Sequence, residues 1–185
     1  MTTLLERRAA ARARSAGDYV GQIRTCYPYW DAQYRPYLLA AVDAFPVAQL
    51  DYKPRPDMLT ARQVILHIAE AENGWIDLVE GGRDVRWRDW VVPADDPAQG
   101  FRSLVEAPDH AALHALLAPA HERVSGWLDH PAGELGRVLE RRFADGSERS
   151  YTLHWILDHV QEHEIHHRAQ LNLYLRLLGI EPPSI

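Results

Sequence analysis

Three histidines carry the most specific chemical signal in this sequence. His163 and His167 stand four residues apart in a long helical pattern, and His67 lies far upstream. At roughly 100° per residue, side chains four positions apart on a helix point in nearly the same direction, so two imidazoles can reach one metal ion. A third nitrogen must come from a helix packed opposite, and three nitrogens leave a position open for water or substrate. The pattern predicts a divalent metal site, and ligand type alone does not choose between zinc, nickel, iron and manganese.

The segment around the pair also matches a metalloprotease motif. Residues 163–167 read HEIHH, which satisfies H-E-x-x-H with Glu164 in the position of the general base. A zinc-peptidase interpretation therefore stays open on spacing, although its third ligand, His67, would lie upstream rather than downstream. Weak candidates for a catalytic acid or base are Glu164, Glu70 and His159, which are close in sequence to the proposed ligands. Most of the neighbouring acidic residues are expected on the exposed sides of amphipathic helices.

The helix that must carry the pair is predicted from Thr152 to Gly179. Thr152 is a suitable N-cap, Arg176 complements the helix dipole in the last turn, and Gly179 suits the position after the C-cap, ahead of prolines 182 and 183. Inward-facing residues recur at alternating steps of four and three: Ile156, Val160, His163, His167, Gln170 and Tyr174. The pair therefore faces the core of a helical bundle.

His67 belongs to a second predicted helix, from Thr60 to about Val79. Residues Thr60 to Gln63 match the T-x-x-Q form of a capping box. An apolar stripe follows at helical spacing: Val64, His67, Ile68, Ala71, Trp75 and Leu78. A lone histidine on such a stripe is usually a hydrogen-bonded core residue, but a second seam with two more histidines favours a shared site.

The rest of the chain is predicted to complete a single all-α domain over residues 1–185, with an N-terminal extension at 1–27 and a bundle core at 28–183. Residues 4–24 form an extra N-terminal helix, and residues 29–45 form the first bundle helix, with Pro36 as a kink or a late start. Residues 109–128 form the third, with Asp109 as N-cap and a kink near Pro119. His110 and His114 make a second pair there, but no third histidine accompanies them.

Two connections complete the prediction. Residues 81–108 show no sustained period and form a long crossover between the second and third helices, or a lid over a site. Their aromatic residues Trp87, Trp90 and Phe101 either anchor that crossover to the core or wall a pocket, and anchoring is favoured. Residues 133–150 contain two short segments around a turn, which indicates a small hairpin before the last helix.

The composition of the chain limits the classes of partner that we expect it to bind. The chain has 185 residues and a formal net charge of −6, and its 20 basic residues are scattered, so nucleic acid is not expected as a partner. Its one cysteine, Cys26, excludes an internal disulfide, fits a reducing compartment and is expected to be a small, partly buried side chain. No segment approaches the roughly 20 apolar residues that cross a membrane, so we expect a cytoplasmic location and no membrane partner.

At the histidines the sequence resembles the DinB/YfiT-like family. The resemblance covers roughly residues 29–183 and rests on TARQVILHIAEAENGWI in the second helix and LDHVQEHEIHHRAQLNLYLRLLGIEPP at the end. It implies a four-helix bundle of DinB type, often a homodimer, with a divalent metal held by one histidine of the second helix and an H-x-x-x-H pair of the fourth. His67, His163 and His167 occupy those positions.

The resemblance also implies candidate reactions on a small-molecule substrate. Members of the family include thiol-dependent S-transferases and isomerases that use low-molecular-weight thiols, and others are described as metal-dependent hydrolases. We therefore expect a metal-dependent enzyme, with S-transfer ahead of hydrolysis. A non-catalytic metal- or ligand-binding bundle acting in a stress response is the alternative from another class. A metal-free scaffold with a polar histidine core is a third.

Overall fold

The computed structural model describes residues 20–81, 90–142 and 146–184. This part of the chain is mostly helical, with a small strand content. Its α-helices are α1 (Arg35–Asp43), α2 (Ala61–Gly81), α3 (His110–Leu128) and α4 (Leu153–Leu177). Two antiparallel strand pairs accompany them: β1 (Val91–Pro93) with β2 (Phe101–Ser103), and β3 (Val138–Arg142) with β4 (Glu148–Thr152).

The boundaries of α4 follow the caps that the sequence predicts. The Thr152 hydroxyl accepts a hydrogen bond from the Trp155 amide at 3.1 Å, which satisfies a free N–H of the first turn. At the other end Gly179 has φ 76°, a left-handed conformation that glycine adopts without a steric penalty. The Ile180 amide then donates to the Leu175 carbonyl at 2.9 Å, which is the Schellman ending.

The capping box of α2 also forms. The Gln63 amide donates to the Thr60 hydroxyl at 3.2 Å, and the Thr60 amide donates to Gln63 Oε1 at 2.9 Å. These reciprocal bonds fix where α2 begins, which sets the rotation of its apolar stripe. The predicted stripe is buried at every position except His67, which is partly exposed. The helix ends at Gly81, two residues beyond the predicted end.

The core has two apolar clusters. One contains Leu38 and Val42 of α1, Val64 of α2 and Leu171 of α4. The other contains Trp75 of α2 together with residues from the last turns of α3 and the first turns of α4. Helix α2 packs on both α3 and α4, and α1 packs on α4.

A polar layer crosses the helices between these clusters. Each of the four helices contributes one buried or nearly buried polar residue to it, namely Arg35, Glu72, His121 and Glu164. His163 directly precedes Glu164 on α4, so the predicted metal site adjoins this layer. The four polar residues therefore lie between the two apolar clusters.

Three predictions need correction. The all-α class is confirmed only in the coarser form of a mostly helical chain, because two strand pairs accompany the helices. The expected hairpin in 133–150 is present as β3–β4, and β1–β2 lies in the crossover. The predicted N-terminal helix falls outside the described residues except at 20–24, where the chain is not an α-helix. Gly21 has φ 92° and Gln22 pairs in extended conformation with Pro131, so a short 3-10 turn at 23–26 replaces the helix end. Cys26 in that turn is exposed rather than partly buried.

The first and third helices follow their predictions more closely. A π-helical turn at 30–34 precedes α1, and Pro36 lies in the first turn of the α-helix, so the late start is confirmed. The Asp109 carboxylate caps α3 by accepting from the Ala112 amide, and the helix continues through Pro119. In the crossover, Trp90 and Phe101 pack against the first apolar cluster, which confirms that they anchor it, whereas Trp87 lies outside the described residues.

Candidate metal centre

The three predicted histidines converge on one point between α2 and α4. The Nε2 atoms of His163 and His67 are 3.1 Å apart, and those of His163 and His167 are 3.2 Å apart. One ligand atom from each residue lies within 4.8 Å of the others. All three side chains are partly buried, so the cluster has one side against the core and another towards solvent.

Hydrogen bonds on the far side of the rings fix their orientation. The Tyr174 hydroxyl donates to the Leu59 carbonyl at 3.1 Å and accepts from Gln170 Nε2 at 2.9 Å. Gln170 Oε1 is thereby directed to His167 Nδ1, at 2.9 Å. Since an amide oxygen can only accept, His167 carries its proton on Nδ1 and directs the lone pair of Nε2 inward.

The Glu70 carboxylate serves the same purpose for His67. Its Oε2 is 3.5 Å from His67 Nδ1, and its Oε1 accepts from the Trp90 amide at 2.8 Å. Both outer histidines therefore present unprotonated Nε2 atoms to the centre. A proton on Nε2 of His163 could be donated to only one of the two neighbouring Nε2 atoms, which would leave the lone pair of the other without a donor.

Electrostatics keep two of the rings neutral. Burial, reinforced by the positive charge that His167 and His67 would carry, lowers the pKa of His163 to about 2. Burial likewise lowers the pKa of His167 to about 4, although its hydrogen bond to Gln170 acts in the opposite direction. Neutral imidazoles are the form that binds metal.

This donor set fits a divalent ion. With metal–nitrogen distances of about 2.0–2.1 Å and tetrahedral angles, ligand nitrogens lie about 3.3 Å apart, close to the two separations in the cluster. Two of the three rings also have oxygen acceptors on the outer nitrogen, as ligand histidines in proteins usually do. The cluster could hold a metal ion.

The structure separates the three weak catalytic candidates. Glu70 touches His67 and orients it. His159 lies one turn before His163 on α4, with ring centroids 6.1 Å apart. Glu164 is directed elsewhere: its carboxylate accepts from Trp30 Nε1 at 3.2 Å and from Arg35 at 3.3 Å. The expectation that acidic neighbours would be exposed is wrong for Glu70 and Glu164, which are buried.

Glu164 belongs to a second cluster that the sequence did not reveal. Glu72, His121 and Glu164 bring ligand-type atoms within 4.8 Å of one another, so this group could also hold a cation. Arg35 already lies there, however, and donates to Glu72 at 3.0 Å and to Glu164 at 3.3 Å. A guanidinium among two carboxylates opposes their charge and repels a metal ion, so the three-histidine cluster is the better metal site.

Burial and neighbouring charges shift the pKa values of Glu164 and His121 in this second cluster. Burial raises the pKa of Glu164, and the charge of Arg35 only partly offsets that effect. Burial opposes a charge on His121, but its hydrogen bond to Glu72 and the negative charge of that residue leave the pKa raised. A single signal could have indicated this cluster in the sequence, namely charged residues at core-facing positions of several helices.

The alternative pair on α3 does not form a comparable group. His114 Nε2 is 2.6 Å from the Asp43 carboxylate. Across residues 20–81, 90–142 and 146–184, the only groups with metal-binding geometry are the two described above. In the same ranges no helix has the length and apolar character to cross a membrane.

Comparison with known proteins identifies the family. The model of the DinB family matches residues 19–185. The chain belongs to the DinB family. Two solved structures of DinB-like proteins share its fold: YjoA from Bacillus subtilis and a protein from Bacillus cereus ATCC 10987. No match was found among curated proteins.

The two DinB-like structures resemble the chain in fold and differ widely in sequence. The Bacillus subtilis protein is 23% identical with a TM-score of 0.57, covering 82% of this chain and 90% of its own. The Bacillus cereus protein is 13% identical with a TM-score of 0.58, covering 88% and 95%. At such identities the DinB fold is shared, and the reaction must be argued from the site.

Proposed function

We propose that this DinB-family protein is a divalent-metal-dependent enzyme whose metal ligands are His67, His163 and His167, and that it transfers a low-molecular-weight thiol to an electrophilic small molecule. The observation that supports this most directly is the convergence of three Nε2 atoms, two of which carry no proton because the opposite ring nitrogen faces an oxygen acceptor. Such a cluster is unfavourable without a cation at its centre.

The chemistry follows from the open side of the cluster. His67, His163 and His167 would hold a divalent ion, which would lower the pKa of a bound thiol and so supply a thiolate at neutral pH. The thiolate sulfur would form the bond to the electrophilic carbon as the leaving group departs with its electron pair. We assign acceptance of the thiol proton to His159 because its ring is next to that of His163 on α4, with centroids 6.1 Å apart. Burial lowers the pKa of His159, so the ring is neutral before it accepts the proton.

The other residues position the ligands. Glu70 and Gln170 hold the rings of His67 and His167 and keep their inner nitrogens free of protons. Glu164 does not suit the role of a peptidase base, because Arg35 and Trp30 bind its carboxylate. This contact favours thiol transfer over the zinc-peptidase interpretation.

Metal content of the untagged protein tests the proposal first. We expect about one equivalent of a divalent metal, and none after alanine replaces His67, His163 and His167 together. His166→Ala is the matched control, because His166 lies on the same helix and is exposed. Failure to bind zinc, nickel, manganese or iron would refute the metal site and favour a metal-free scaffold.

Turnover tests the reaction. The metal-loaded protein is mixed with a set of thiols and electrophiles, and adduct formation is followed by mass spectrometry. We expect adducts that depend on the metal and disappear in the triple variant. One bound metal with no turnover of thiols or of hydrolysable esters would favour the non-catalytic binding bundle. The small-molecule substrate and the homodimer belong to the same proposal, and sedimentation velocity measures the dimer.

A further inference from the structure

A series of aromatic rings runs from the end of β4 along α4 into the proposed metal site. Tyr151, Trp155, His159, His163 and His167 follow one another at intervals of four residues. Their successive ring centroids are 4.7, 4.8, 6.1 and 4.3 Å apart. The last two rings are proposed metal ligands, so the first three extend the site along the helix. We call Tyr151, Trp155 and His159 the aromatic face.

Helix α2 supports this face from behind. The Trp75 ring packs edge-on against all three residues, with centroids 5.3 Å from Tyr151, 5.3 Å from Trp155 and 5.2 Å from His159. Trp75 is buried, whereas the three residues in front of it are partly exposed. His67 lies two turns earlier on the same helix and packs in the same way against His163, at 4.8 Å. The aromatic face and the metal ligands are therefore built on the same two helices.

The geometry decides how a ligand can bind here. The rings touch one another, so they do not enclose a cage for a cation, and a ligand must stack on their outer side. Trp155 and His159 stack on each other, with 4.8 Å between their centroids and 11° between their planes, so this pair presents ring edges and the uncovered parts of the ring faces to a ligand. Such a surface favours offset stacking of another flat ring over contact with a saturated one.

We propose that the aromatic face binds the electrophilic substrate, and that this substrate carries a flat aromatic or conjugated group next to its reacting carbon. The inference rests on the proposed function and adds the class of substrate. The His159 ring is 6.1 Å from the His163 ring between centroids, so a ring stacked on His159 lies beside a proposed metal ligand. A substituent on that ring therefore reaches the open side of the metal site, where the thiol sulfur is held.

Binding of unreactive probes tests the inference apart from catalysis. 2-Naphthylmethanol is compared with its saturated decalin counterpart by calorimetry on the metal-loaded protein. A stacking preference predicts roughly 2- to 12-fold tighter binding of the naphthyl probe. Trp155→Leu should remove most of that preference, and Trp155→Phe should keep it. Trp127→Leu is the matched control, because Trp127 stacks on His130 at 4.2 Å away from the aromatic face.

The outcomes separate this inference from the proposed function. The triple histidine variant should still prefer the naphthyl probe, even though it binds no metal. If the metal-loaded protein shows no turnover but Trp155→Leu abolishes the preference, the thiol transfer fails and the aromatic site stands. Equal binding of both probes, no binding of either, or an unchanged preference in Trp155→Leu would overturn the inference.

Steady-state kinetics provides a second test. If Trp155 had only a structural role, its replacement would not raise KM selectively for aromatic electrophiles. Aromatic and aliphatic electrophiles with the same leaving group are compared in wild type, Trp155→Leu and Trp155→Phe. We expect Trp155→Leu to raise KM for the aromatic electrophile while kcat changes little. A loss of kcat with both classes of electrophile and an unchanged KM would contradict substrate stacking.

Discussion

Replacing Arg35 with methionine tests whether the polar layer stabilises the fold through one buried cation. The Arg35 guanidinium donates to Glu72 at 3.0 Å, to Glu164 at 3.3 Å and to the Leu117 carbonyl at 2.6 Å. The Arg35 side chain is 6% exposed and both carboxylate side chains are 1% exposed. Methionine keeps the length and apolar character of the stem but removes all three donors.

The expected loss is large because the remaining charges are not hydrated. Removing one partner of a buried ion pair costs about 3–5 kcal/mol, whereas exposed pairs contribute about 0.2–1 kcal/mol. We expect Arg35→Met to lower the free energy of unfolding by about 3–5 kcal/mol, which is a large share of the 5–15 kcal/mol typical of domains. In a chain of this size, the same loss lowers Tm by about 6–20 °C.

Urea unfolding followed by circular dichroism measures this loss in free energy. Arg142→Met is the control, since Arg142 pairs with Glu148 on the surface and its loss should cost less than about 1 kcal/mol. Adding Glu72→Gln and Glu164→Gln to Arg35→Met should recover much of the stability, because neutral amides carry no buried charge. A loss below about 1 kcal/mol for Arg35→Met would refute the argument.

Two further predictions concern histidines. Gln170→Leu removes the acceptor for the Nδ1 proton of His167, and we expect metal affinity to fall about 10- to 100-fold with the fold intact; unchanged affinity in a competition titration would exclude this orienting role. His121→Gln tests the raised pKa of His121. A raised pKa adds stability below the unfolded value of about 6.5, and this stability is lost as pH rises through the folded pKa. The difference in unfolding free energy between wild type and the variant should therefore be larger near pH 6 than near pH 9. A difference that does not depend on pH would contradict it.

The sequence predicted the elements whose signals are local. The capping box at Thr60 and the glycine at 179 fixed the ends of α2 and α4, and helical periodicity then placed His67 opposite the later pair. The three rings converge because the histidine-bearing faces of α2 and α4 both turn towards the core. The bond from Gln170 to His167 could also be read from their spacing of three residues.

The polar layer and the aromatic face could not be predicted in the same way. Arg35, Glu72, His121 and Glu164 come from four different helices, so only the relative heights of the packed helices show that they meet. Similarly, β1 and β2 have three residues each, too few to show an alternating pattern.

The separation in sequence between the proposed metal ligands affects the kinetics of folding. His163 and His167 become neighbours as soon as one helix forms, but His67 is 96 residues away from His163. Bringing α2 to α4 closes that loop at an entropic cost. A partly folded chain therefore offers an ion two nitrogens, and the third contact forms only when the helices dock. Bound metal should then slow unfolding more than it accelerates folding, and a chelator should shorten the lifetime of the native state.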